Sequence, residues 1–113
     1  MANLSLETSR AGDAAVIALT GELDLAGAAA LEQELARPEA ETAAAIVLDL
    51  RGVAFMDSSG LRVIAVSSQR AHENGRRLAL VPGGDQVMRV FEITRMRERL
   101  DFVADPREVT DSR

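Results

Sequence analysis

Apolar and polar residues alternate from the start of the chain. Residues 4–10, Leu-Ser-Leu-Glu-Thr-Ser-Arg, and residues 14–23, Ala-Ala-Val-Ile-Ala-Leu-Thr-Gly-Glu-Leu, read as two short strands. Gly12-Asp13 between them supplies the turn chemistry of a hairpin, so the sheet is expected to begin antiparallel. From Gly27 to Arg37 the period changes: Ala28, Leu31 and Leu35 fall at helical spacing, and Pro38 ends the pattern. Residues 44–50, Ala-Ala-Ile-Val-Leu-Asp-Leu, form an apolar run rich in branched side chains, as expected of a central strand covered on both faces. After a turn at Phe55–Leu61, one face of a helix starting at Ser59 is lined by Leu61, Ile64, Ala65, Ser68, Ala71 and His72. That helix stops near Asn74-Gly75. His72 is expected to be partly buried at its end. Residues 77–81 read as the next strand. Pro82-Gly83-Gly84 then breaks the chain, and Val87, Val90 and Phe91 mark a helical face over Asp85–Ile93. Residues 100–104 suit a last short strand.

Strands alternating with helices pair in parallel through right-handed crossovers. The pattern therefore predicts an α/β fold: a mixed sheet of four to five strands with an antiparallel N-terminal hairpin, covered by about four helices. With 113 residues one domain is expected, its core spanning about 4–104 and residues 105–113 forming a frayed tail or a single helical turn.

Composition removes several functions. The single histidine and the absence of cysteine argue against thiolate zinc, iron–sulfur or histidine-rich metal sites, so no metal and no cofactor are expected. The net charge of −5 comes with no long basic block, which disfavours direct nucleic acid binding. No run of about 18 apolar residues is present, so no membrane insertion is expected. The opening residues lack the charge and hydrophobicity of an export signal, and a cytoplasmic location follows as an expectation. Tyrosine and tryptophan are absent, which removes the usual platforms for stacking bases or sugars.

The turn Phe55-Met56-Asp57-Ser58-Ser59-Gly60-Leu61 carries the chemistry that remains. Asp57, Ser58 and Ser59 can each cap the helix that follows, yet a cap needs only one such side chain. At least one hydroxyl is left at the carboxyl end of a strand, where open α/β sheets expose ligands and reactive groups. On the helix, Val63, Val66 and Arg70 fall opposite the core face at 100° per residue, and Arg62 and Arg70 flank the two valines, a patch suited to protein contact. A hydrolase is disfavoured. His72 lies about 20 Å along the helix from the serines, too far for proton transfer, and no Gly-x-Ser-x-Gly elbow is present. Gly83 and Gly84 belong to neither a dinucleotide fingerprint nor a Walker loop.

Two stretches carry a family resemblance: "GELDLAGAAALEQEL" at 21–35 and "IVLDLRGVAFMDSSGLRVI" at 46–64. Together, across about residues 4–104, they resemble the anti-sigma factor antagonists of the STAS domain family. The resemblance implies a STAS-like fold and a protein-interaction switch that is not an enzyme. It implies that Ser58 is phosphorylated by a serine kinase that is also the anti-sigma factor, with Asp24 on a neighbouring loop and Asp57, Ser59 and Gly60 around it. Unmodified, the chain would bind that partner through Leu61, Arg62, Val63, Val66 and Arg70 and release a sigma factor; a serine phosphatase would reset it. The resemblance leaves the oligomeric state open between a monomer and a weak dimer. Two other roles fit the same resemblance: a scaffold of a stress-signalling assembly, or an adaptor subunit in phospholipid transport. Two departures stand out. Thr94-Arg95-Met96 lacks the glycine often found after the third helix, and Gly27 stands where a hydroxyl cap is frequent, so the first crossover helix is expected to start less firmly.

Overall fold

In a computed structural model, which describes residues 2–110, strand β1 (Leu4–Ala11) folds back on β2 (Ala14–Leu23). The pairing is antiparallel and unbroken, from Leu4 opposite Gly21 to Ala11 opposite Ala14, and Gly12 makes the turn at φ 61°. Strands β3 (Ala45–Met56), β4 (Arg77–Val81) and β5 (Asp101–Phe102) follow in parallel, giving one sheet in the order β1-β2-β3-β4-β5.

Each parallel strand lies beside its predecessor and the sheet grows in one direction. Right-handed crossovers then bring every connecting helix to the same face. The connections are α1 (Leu25–Leu35) with the short α2 (Pro38–Glu41), then α3 (Ser58–Glu73) and α4 (Asp85–Ile93). Alternation along the strands completes the core. Ile17, Leu19, Ile46, Leu48, Leu50, Leu78 and Leu80 point into a cluster with Leu31, Ile64, Val87 and Phe91. Their neighbours Val47, Ala79 and Val81 point the other way, against Val103 and Val109. That second face is covered by the C-terminal segment, whose helix α5 (Arg107–Thr110) buries Val109. Of the segment expected to be a frayed tail or a single helical turn, Arg107–Thr110 are helical and residues 111–113 lie outside the described residues.

Four differences from the expected pattern have physical causes. The central strand does not end at Leu50 but runs to Met56, because Val53 and Met56 stay buried after Arg51-Gly52 interrupts the apolar run. Its pairing with β4 ends at Asp49, while its pairing with β2 continues to Leu23 opposite Met56. The paired ends of β2 and β3 therefore project past β4. Pro38 does more than stop a helix: at the first position of α2 its missing N–H costs nothing. Arg76 then donates to the carbonyls of Ala40 and Ala43 and ties that turn to the end of α3. His72 is exposed rather than partly buried, since at the end of α3 only Ala71 still reaches the core. Finally, α1 starts firmly at Leu25, capped by Asp24, whose carboxylate accepts from the Gly27 amide at 2.9 Å. Gly27 is no missing cap; it is buried where a Cβ would strike the Glu22 carbonyl.

The missing glycine after α4 leaves a measurable trace. Thr94 ends the helix, and Arg95 takes the left-handed conformation at φ 62°, ψ 16° before the 3₁₀ turn Met96–Glu98. A side chain there costs about 1–2 kcal/mol, against about 0.5–1 kcal/mol of extra unfolded-state entropy for glycine. Arg95→Gly is therefore expected to stabilise the chain by about 0.5–1 kcal/mol, read as a higher urea midpoint at unchanged m; a lower midpoint would contradict it.

Candidate functional site

Leu23 and Met56 are register partners on adjacent strands, and each is followed by an aspartate that caps a helix. Asp24 caps α1 and Asp57 caps α3, so two helix N-termini and two carboxylates meet at one lip of the sheet. The strand spacing of about 4.8 Å accounts for the closeness. The backbone locks the arrangement further, with the Asp57 amide donating to the Leu23 carbonyl at 3.4 Å.

Asp57 alone does the capping of α3. Its Oδ1 accepts from the amides of Ser59 at 2.9 Å and Gly60 at 3.4 Å, with its backbone extended at φ −117°, ψ −170°. Two of the four orphan donors of the helix are thereby satisfied, and neither serine hydroxyl is needed for it. Ser58 begins α3 and is exposed, whereas Ser59 is half-buried. Gly60 is buried against the end of β2: a Cβ there would lie 2.6 Å from both the carbonyl oxygen and Cγ of Leu23. Only glycine lets α3 start this close to the sheet. The helix therefore starts at Ser58, one residue earlier than its pattern suggests.

From this lip a groove runs between α1 and α3. Its walls are Leu25, Ala28, Ala29 and Glu32 on one side and Ser59, Arg62, Val63 and Val66 on the other, around a volume of about 390 Å³. It continues past Val66 and Ser67 to Arg70. Arg62 and Arg70 are exposed, and no carboxylate pairs with either among the described residues. Two of the expected contact residues sit differently. Leu61 is only 8% exposed and faces the core, so it holds α3 in place from beneath instead of meeting a partner. Val63 is half-buried and packs against the same core, because α1 lies along its side of α3. Val66, 46% exposed, is the open apolar position.

Leu25 is the residue that pattern reading overlooks. It is 75% exposed at the first position of α1, beside the Asp24 cap, yet its three-residue spacing from Ala28 reads as core. Phe55, just before the Asp57 turn, is exposed as well. Clefts of about 450 and 770 Å³ lie at the opposite, amino ends of the strands, by Gly12-Asp13 and by the end of α3. Their size is no guide to chemistry: they lie at the other end of the strands from the lip, and Arg77, common to both, is tied to Asp101 at 2.7 Å.

Comparison with known proteins agrees with this fold. The anti-sigma-F factor antagonist RsfB of Mycobacterium tuberculosis is 41% identical over 56 residues, covering 50% of this chain and 46% of that protein. The matched segment thus spans about half the length of that relative. The anti-sigma-B factor antagonist of Staphylococcus aureus is 28% identical over 96 residues, 85% of this chain and 89% of that one. Among solved structures, the anti-sigma factor antagonist SpoIIAA shares the fold in its unphosphorylated form, with TM-score 0.77 at 17% identity over 95% of each chain. The phosphorylated form of SpoIIAA from Bacillus matches with TM-score 0.73 at 17% identity, over 96% of this chain and 100% of that one. The STAS domain model itself matches residues 5–108, nearly the whole length. By sequence and by fold alike, this chain belongs to the STAS domain family.

Proposed function

We propose that the chain is an anti-sigma factor antagonist whose docking is controlled by phosphorylation of Ser58. One observation carries the reading: Asp57 caps α3, which leaves the Ser58 hydroxyl exposed at the lip with no structural task. The named relatives are antagonists of anti-sigma factors, and SpoIIAA has the same fold with and without phosphate. Unmodified, the chain docks its partner along the groove, with Leu25 and Val66 as apolar contacts and Arg62 and Arg70 as flanking cations. Phosphorylation adds about −1.5 to −2 charges beside Asp57 and Asp24, at the head of that groove. Docking then fails without refolding. The chain is substrate and ligand and supplies no catalytic group; a serine kinase writes the switch and a serine phosphatase erases it. No helix of the described residues is long and apolar enough to cross a membrane.

Incubation with the cognate kinase and ATP tests the site. Mass-spectrometric mapping is expected to find the phosphate on Ser58 and to lose it in Ser58→Ala; label on Ser59 would reject the assignment. The groove has its own test. Val66→Asp is expected to weaken partner binding by about tenfold or more while leaving the melting temperature nearly unchanged, since Val66 is exposed. Val63→Asp is expected to lower stability as well, because that side chain packs on the core. Undiminished binding by Val66→Asp would move the interface elsewhere.

A further inference from the structure

A phosphate on Ser58 needs a counter-ion, and the lip offers little. The Ser59 and Gly60 amides already donate to Asp57, and the nearby side-chain charges of Asp24 and Asp57 are negative. Arg62 is the cation one turn away. It is exposed, pairs with no carboxylate among the described residues, and lines the docking groove with Glu32 opposite. Helical side chains lean toward the N-terminus, so a side chain at position 62 is directed back toward Ser58 rather than forward along α3. An anion four residues before a cation is also the favourable order on a helix. The guanidinium fork matches two phosphate oxygens at once. Arg70 lies about 18 Å along the axis from Ser58, out of contact.

Building on the Ser58 reading above, we infer that Arg62 is the positioning partner of phosphorylated Ser58 and leaves the docking groove to pair with it. Phosphorylation then changes the groove twice over. It adds negative charge at the head and withdraws the positive charge that borders Val63 and Val66. Arg62 is thus both a contact of the unmodified chain and the latch of the modified one.

The test uses the full chain with phosphoserine installed at position 58 during translation, and follows the phosphate by ³¹P NMR through its second ionisation near pH 6. Arg62 holds the dianion, so this pKa is expected to be lower in the otherwise unaltered chain than in Arg62→Gln, by about half a unit. Asp24, Asp57 and Glu32 face the same lip and groove and act equally in both chains. Arg62→Lys is expected to recover most of the difference, and Arg70→Gln to leave the pKa where it is. Equal values for the unaltered chain and Arg62→Gln, or an equal shift from Arg70→Gln, would overturn the inference. The phosphoserine is installed during translation, so the result is independent of any kinase acting on Ser58 and of whether phosphate weakens docking. Failure of those two steps would be seen separately, in the mapping and binding experiments.

Discussion

Ser58→Asp is expected to bind the anti-sigma factor about a hundredfold more weakly than the unaltered chain, with little change in melting temperature. The new carboxylate joins Asp57 and Asp24 at the lip where docking is proposed. Like charges forced together at a contact cost several kcal/mol, and about 2.7 kcal/mol is a hundredfold in affinity. Folding is spared for two reasons. Ser58 is exposed, and an acidic side chain at the start of a helix is mildly favourable to its dipole. Surface plasmon resonance gives the affinity and a thermal melt gives the stability. Tight binding by Ser58→Asp, or its partial unfolding, would each argue against a local electrostatic gate.

Gly60→Ala is expected to act in the opposite sense, through the fold. The added methyl would sit 2.6 Å from the Leu23 carbonyl oxygen and 3.0 Å from Cγ of Met56. Met56 can turn aside, but the carbonyl belongs to the end of β2 and cannot. The start of α3 must lift off the sheet, and overpacking of this kind costs about 1–3 kcal/mol. A loss of about 2 kcal/mol corresponds to a fall of roughly 10 °C in Tm for a domain of this size. The same displacement carries Asp57, Ser58 and Ser59 with it, so kinase labelling of Ser58 is expected to fall too. Unchanged Tm in Gly60→Ala would mean that α3 does not rest on β2 as described.

Much of this architecture is legible in the residues, and each exception has its own physical cause. The hairpin and α4 announce themselves because their apolar positions keep one regular period throughout. Val63 faces away from the sheet on a helical wheel, yet α1 lies alongside and buries half of it. No single-helix pattern contains that second neighbour. The overhang of β3 is hidden by Arg51-Gly52, two exposed positions inside a paired strand. Leu25 fits the core period of α1 and is nonetheless exposed, at the first helical position beside the Asp24 cap. At the Ser58 turn, chemistry narrows the cap to three side chains, and only geometry selects Asp57. Arg95 is the reverse case. A missing glycine suggests a missing left-handed turn, but the path from α4 to β5 requires the turn and the arginine adopts it.

A phosphate on Ser58 is expected to block docking by charge, at a lip that is otherwise unaltered. Isothermal titration of the anti-sigma factor with the unmodified and the Ser58-phosphorylated chain, at low and high salt, tests it most directly. The expected result is a loss of about a hundredfold or more at low salt, part of which is recovered as salt screens the repulsion. Equal affinities for the two forms would contradict it.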